Sequence, residues 1–332
     1  MRYVVIGAGA VGGTLGGRLF EARHDVVLVA RGAHLDAIRD RGLVLETPDG
    51  SSTLPVPAVG GPDELTLTDD DVLVSAVKSQ DTRSVLDAWA DVPVGASGAP
   101  AAHRLPFVTA QNGVANEHAA LRVFRRVYGV CVWLPASYLT PGTVQAEGHP
   151  RSGFLTVGRV PGSLDDVTAR LVADLGASRF LAVEDAEVMR WKYGKLLSNL
   201  GNGLDALVGG APGTRKLLDE LRAEGEAVLT AAGIDFSTPA QEQERRGDAV
   251  QVRPVGTGPR GGSSTWQSLA RGTDGIEVDY LNGEIALLGR LHGVPTPVND
   301  AVQAAARDAQ RQRRGAAPYD VAAVQELVAA AR

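Results

Sequence analysis

Two sets of residues in this chain have the types and spacing for chemistry. Gly7-Ala8-Gly9-Ala10-Val11-Gly12 is a G-x-G-x-x-G turn between the apolar run Arg2–Ile6 and a helical stretch, 11–22, with a second apolar run at 25–30. In such a strand, loop, helix and strand, Gly7 permits the tight turn, Gly9 lets the backbone approach a pyrophosphate and Gly12 lets helix and strand pack. The amides at the helix start present the positive end of its dipole. A dinucleotide is expected across Gly7 to Gly12, and a bare packing turn is the alternative. The second set lies in a helical stretch, 186–207. At about 100° per residue Lys192, Lys195, Asn199 and Asn202 share one stripe, flanked by Leu196, Leu197, Leu200 and Leu204. Amides and a lysine beside that much leucine need partners, so the stripe reads as the wall of a site or as a polar seam between domains.

The end of the second strand bears on the cofactor. An NAD site usually has a carboxylate there for the ribose 2′-hydroxyl, but this chain has Ala30-Arg31, with Arg39 and Arg41 beyond. A guanidinium binds a 2′-phosphate in a fork that a carboxylate would repel. NADP(H) is therefore the expected cofactor, with a solvated loop charge as the other reading of Arg31. Lys78 and Asn112 follow two further strands, at the sheet edge where ligands bind in this architecture. Lys78 is read as a cofactor contact or a solvated lysine. Asn112-Gly113 is either a hairpin turn or, because a helical pattern follows, a strand-to-helix loop. Ser263-Ser264 is explained by helix N-capping, and Glu277 by a capping box running from Asp274.

These residues require a scaffold that 332 residues can supply, with a prior of two domains. Alternating strands and helices up to residue 184 imply α/β architecture, a doubly wound parallel sheet of Rossmann type. From 185 the pattern is helical without a convincing strand. The expected domains are thus 1–184, for the cofactor, and 185–332, all-helical. Helices are expected at 186–207, 214–232, 265–271, 276–291, 298–313 and 319–331, and the Arg-rich stretch 242–260 reads as a lid or as unstructured chain.

Hydrophobic content of 44%, charged content of 22% and a net charge of -6 fit a globular protein and argue against general nucleic-acid or anionic-membrane binding. The single cysteine, Cys131, fits a reducing compartment. The six histidines show no metal-ligand spacing, and no metal is expected. With no signal-peptide pattern and no run of about eighteen apolar residues, a soluble cytoplasmic protein is expected.

Assembled, these residues make the chain resemble the ketopantoate reductase (2-dehydropantoate 2-reductase) family nearly end to end. The resemblance runs through Gly7 to Gly12, Ala30-Arg31-Gly32, Val77-Lys78, Gln111-Asn112-Gly113, Trp191 to Asn202, Ser263-Ser264 and Glu277 to Gly283. It implies a Rossmann domain and a helical domain with the active site between them, reduction of a 2-keto acid by NADPH, a place in pantothenate biosynthesis, and a homodimer. By the same resemblance Lys195 is the general acid, Asn112 and Asn199 orient substrate and lysine, Ser264 meets the substrate carboxylate and Glu277 its hydroxyl. Asn202 stands as a further substrate contact, Arg31 binds the 2′-phosphate and Lys78 lies near the cofactor. The chain departs from the family pattern at Gly261, where an asparagine is usual, and at Trp266, where a smaller aliphatic is usual. Asn202 also follows Asn199 by three residues instead of four. The departures keep open a different carbonyl or imine substrate, and a non-catalytic NADP(H)-binding sensor is the rival from another class.

Overall fold

The computed structural model describes all residues except 139, 256–261 and 273–274. The chain divides into two compact units: 1–112, 116–191 and 240–259 form the first, and 113–115, 192–239 and 260–332 the second.

The first unit is built on an eight-stranded sheet. Its order is Leu181–Glu184, Phe154–Arg159, Val127–Trp133, Phe107–Thr109, Asp71–Ser75, β1 (Arg2–Ile6), β2 (Asp25–Val29) and Ala58–Val59. All neighbours are parallel except Val127–Trp133 against Phe154–Arg159. A strand buried on both faces reads as a continuous apolar run, which is what β1 and Asp71–Ser75 are. Alternate residues of β1 enter two cores. Tyr3 and Val5 join Leu15, Leu19, Leu155 and Leu171 on one face, and Val4 and Ile6 join Leu73, Leu86, Phe107 and Phe124 on the other. The doubly wound architecture is thereby present as expected, and the strand order reverses between β1 and Asp71–Ser75.

Helix α1 (Ala10–Glu21) is held between two sheets by its small residues. A Cβ on Gly16 would lie 2.5 Å from Leu28 of the main sheet, and one on Gly13 would lie 2.7 Å from Val144. Val144 belongs to a second, four-stranded sheet ordered Ala136–Ser137, Thr143–Ala146, Leu43–Thr47 and Gly50–Leu54. The Pro48-Asp49 corner joins the last two of these strands in an antiparallel pair.

The second unit is helical. It contains most of Val188–Asn199, then Gly201–Val208, Arg215–Ala231, Ser264–Ala270, Asn282–His292, Pro297–Arg311 and Val321–Ala331. The single helix expected over 186–207 is two helices. Asn282 donates from Nδ2 to the carbonyl of Leu200 at 3.0 Å, and a side chain bonded into the helical ladder is a known cause of a break. Asn282 also donates to Asn299, which donates in turn to the Leu221 carbonyl and to Glu224, so the side-chain N–H groups of both asparagines are paired inside the bundle.

Two other expectations change. The stretch after 185 does contain a strand, Val250–Val252, which pairs antiparallel with Gly148–Pro150 of the first unit. The Arg-rich stretch is a helix, Pro239–Arg246, followed by that strand, up to the residues that are not described. Among the described residues no helix is long and apolar enough to cross a membrane.

Candidate active site

The glycine loop of the first unit follows β1 at the reversal of strand order, where doubly wound sheets bind ligands. Gly7 has a φ of +97°, and a Cβ there would sit 2.8 Å from Val77. At Gly12 a Cβ would sit 2.0 Å from the carbonyl oxygen of Gly7, so loop and helix touch through bare backbone. Gly9 differs, because a Cβ built on it would meet nothing within 4 Å. Space beside Gly9, at a helix start that no side chain caps, fits a pyrophosphate held by backbone amides.

His34 holds this loop from behind. It is 8% exposed; Gly142 donates its amide to Nδ1 at 2.8 Å, which leaves Nε2 to donate to the Ala8 carbonyl at 2.7 Å. Burial lowers its pKa, partly offset by the bond to Ala8, so the ring is held neutral. Nothing in the sequence separates His34 from any other helix residue, since its partners are 26 and 108 positions away.

Arg31 stands where β2 ends and α2 (Gly32–Arg41) begins, with Ala30 buried and Arg31 itself exposed. Of the three arginines in this region Arg39 pairs with Glu64 and Arg41 donates to the Pro141 carbonyl. Among the described residues no carboxylate pairs with Arg31.

Lys78 and Asn112 extend the same edge. The amide of Ala76 donates to the Ile6 carbonyl at 2.8 Å, which sets the segment leading to Lys78 against the end of β1. Asn112-Gly113 is not a hairpin; Gly113 has a φ of +76° and the helix Ala115–Leu121 follows. Beneath lies a network that the sequence did not reveal. Asn116 donates to the Asn112 carbonyl at 2.9 Å and to Ser79 Oγ at 3.1 Å. Its Oδ1 accepts from Thr82 at 2.7 Å, and Gln111 donates to Thr82 and to the Val77 carbonyl. One buried amide thus fixes the two loops that carry Lys78 and Asn112.

In the second unit Lys192, Lys195 and Asn199 lie on one helix, with Lys192 and Asn199 buried and Lys195 half-buried. Asn202 lies beyond the break, in the helix Gly201–Val208. Its backbone carbonyl accepts from Ser263 Oγ at 3.1 Å, and Asp205 accepts the Ser263 amide at 2.7 Å. Ser263 also caps the helix Ser264–Ala270 by accepting from the Trp266 amide. This leaves Ser264, the first residue of that helix, exposed. The Trp266 ring lies where a side chain on Gly262 would be, 2.6 Å from an added Cβ. Glu277 opens a 3₁₀ turn, Glu277–Tyr280, and the following helix begins at Asn282. It is therefore not at N3 of a capping box, and Asp274, its expected partner, lies outside the described residues, as does Gly261. Among the described residues no cluster of His, Cys, Asp or Glu could hold a metal ion.

The sheet order, the glycine loop and the helical second unit define a Rossmann-type α/β protein. Residues 3–162 match the family described as ketopantoate reductase PanE/ApbA, and residues 187–310 match its C-terminal counterpart. A 2-dehydropantoate 2-reductase of Halobacterium salinarum is 30% identical over 94% of this chain and 99% of its own length. One from Mesorhizobium japonicum is 28% identical over 92% and 97%. A PanE/ApbA family ketopantoate reductase from Ralstonia eutropha JMP134 superposes with a TM-score of 0.77 at 28% identity, covering 95% of this chain and 100% of that one. D-mandelate dehydrogenase, solved with NADH and anilino(oxo)acetate, shares the fold with a TM-score of 0.78 at 19% identity over 95% of this chain and all of its own. The chain belongs to the ketopantoate reductase family, a family of oxidoreductases.

Proposed function

We propose that this chain reduces 2-dehydropantoate, or a closely related 2-keto acid, to the 2-hydroxy acid with NADPH. The end-to-end likeness to relatives named 2-dehydropantoate 2-reductase carries the reaction. Arg31, exposed and without a carboxylate partner among the described residues, supports a 2′-phosphate and hence NADP(H). Gly7 to Gly12 would hold the pyrophosphate, and Lys78 and Asn112 would contact the cofactor.

NADPH, when bound, supplies the hydride. The chain's own residues have two tasks, to stabilise charge on the carbonyl oxygen and to give that oxygen a proton. Lys195 is assigned both: its ammonium is attractive to the developing negative charge, and Nζ donates the proton. Asn112 and Asn199 orient lysine and substrate, Ser264 binds the carboxylate, and Glu277 bonds the hydroxyl. Asn202 is placed as a substrate contact from its neighbouring helix. A cytoplasmic location and a homodimer complete the proposal; a Staphylococcus aureus ketopantoate reductase is described as dimeric, and light scattering on the purified chain tests the second.

The test is NADPH oxidation, followed by absorbance, with ketopantoate and a panel of other 2-keto acids, for the wild type and Lys195→Ala. Loss of a positioned acid typically costs about 10²- to 10⁴-fold in rate, and NADPH affinity should persist. Turnover that survives in Lys195→Ala removes Lys195 from its role. Tight NADPH binding without turnover of any keto acid removes the substrate assignment and favours a different carbonyl or imine, or a sensor that turns nothing over. Trp266, packed over Gly262 beside Ser264, is the observation that favours the different-substrate reading.

A further inference from the structure

We propose that Arg245 is a positioning residue for the helix that carries Lys195, acting through Asp185 and Trp191. The proposal rests on the assignment of Lys195 as proton donor. The helix Val188–Asn199 begins in the first unit, and Asp185 lies just ahead of it. One carboxylate oxygen of Asp185 accepts from the amide of Glu187 at 2.9 Å. The other accepts from the indole Nε1 of Trp191 at 2.7 Å and from Arg245 at 3.1 Å. The Arg245 guanidinium also lies 3.9 Å from the centroid of the Trp191 ring, well within cation-π range. The Trp191 carbonyl accepts from Cys131 Sγ at 3.4 Å, and Arg190 beside it donates to Gln241 of the Arg245 helix at 2.8 Å.

Trp191 is thus gripped at its ring edge, its ring face and its backbone. A residue held at ring edge, ring face and backbone fixes the rotation of its helix about the axis. Lys195 is four residues further on, where side chains stack one turn above the other on the same face. The rotation that places Trp191 therefore also sets the direction of Lys195. Proton transfer is sensitive to that direction, because a displacement of about 1 Å can cost on the order of 10²-fold in rate. Arg245 is 50 residues from Lys195 in sequence and belongs to the Arg-rich stretch that the sequence assigned no chemistry.

Turnover with the best keto acid of the panel, NADPH affinity, melting temperature and tryptophan emission are measured for Arg245→Ala, Arg245→Lys, Trp191→Phe and Lys195→Ala. In Arg245→Ala, kcat is expected to fall about tenfold or more, with NADPH affinity and substrate KM within about twofold and the pH profile of kcat displaced. Arg245→Lys, which keeps a cation over the ring, recovers part of the rate. The emission component missing from Trp191→Phe moves to longer wavelength in Arg245→Ala without any cofactor present. Should Arg245→Ala fail to fold, Trp191→Phe, which keeps a smaller aromatic ring and loses the indole donor, must still lower kcat. Wild-type kcat in Trp191→Phe or Arg245→Ala beside an inactive Lys195→Ala overturns the inference and leaves the general acid in place. An active Lys195→Ala overturns the assignment on which the inference depends.

Discussion

His34 donates from Nε2 to the carbonyl of Ala8 while Nδ1 accepts the amide of Gly142, so one neutral imidazole joins the glycine loop to the loop before Thr143–Ala146. A second proton on the ring removes the acceptor for Gly142. The folded pKa lies below the ordinary histidine value of about 6.5, so the unfolded chain binds the proton more readily. The contribution of His34 to stability is complete above about pH 6.5 and is lost as pH falls through the lower, folded value. Melting temperature measured from pH 8 to pH 5 should decline more steeply in the wild type than in His34→Gln. Parallel curves would remove His34 from the acid response.

Gly9 and Gly12 should fail differently when each is replaced by alanine. At Gly12 a Cβ would sit 2.0 Å from the Gly7 carbonyl oxygen and 2.9 Å from the Ala76 side chain. Overpacking of that kind costs about 1–3 kcal/mol or more, so Gly12→Ala should melt several degrees lower. At Gly9 the protein offers no clash, and its φ of -69° suits any residue. Gly9→Ala should therefore melt like the wild type and lose dinucleotide affinity, as calorimetry with NADPH would show. Unchanged binding would move the pyrophosphate away from Gly9.

Arg31→Ala should weaken NADPH about 10- to 100-fold, which corresponds to the roughly 1.5–3 kcal/mol of a hydrogen bond to a charged group. NADH, lacking the 2′-phosphate, should change by less than about twofold. Steady-state KM for the two cofactors is the measurement. Equal losses for both would mean that Arg31 serves the adenine or the fold, and not the phosphate.

Asn116→Ala removes two donors and an acceptor from a site that is 1% exposed. Each buried group left without a partner costs about 1–3 kcal/mol, and for a chain of this size each kcal/mol lowers the melting temperature by roughly 2–4 °C. The loops that carry Lys78 and Asn112 should loosen with it, and the cofactor KM should rise. A lower melting temperature with unchanged KM would show that the network supports the fold and not the site.

What the sequence made legible was what neighbours in sequence decide. β1, the glycine loop, α1 and β2 are continuous in the chain, and their apolar runs and glycines suffice to place them. The break after Asn199 was not legible, because Asn282, bonded to Leu200, is 82 residues away. The same distance effect hid the Ser263 amide on Asp205, 58 residues apart, and the role of His34. The strand Val250–Val252 was missed because three residues carry too little periodicity, and its partner, Gly148–Pro150, is equally short. Helical period alone puts Lys195 on a polar stripe, and only the family resemblance proposes a chemistry for it, since helical spacing cannot tell a site wall from a buried seam.

The pairing of Val250–Val252 with Gly148–Pro150 also bears on how the chain is made. During synthesis the strand Val250–Val252 follows residues 192–239 of the second unit, so the β-structure of the first unit is completed only after that stretch has been made. A truncation after residue 191 would leave Gly148–Pro150 unpaired and the rings of Trp133 and Trp191 without the guanidinium groups of Arg246 and Arg245. A cut that keeps every segment of the first unit on one piece, after residue 259, keeps residues 192–239 of the second unit with it.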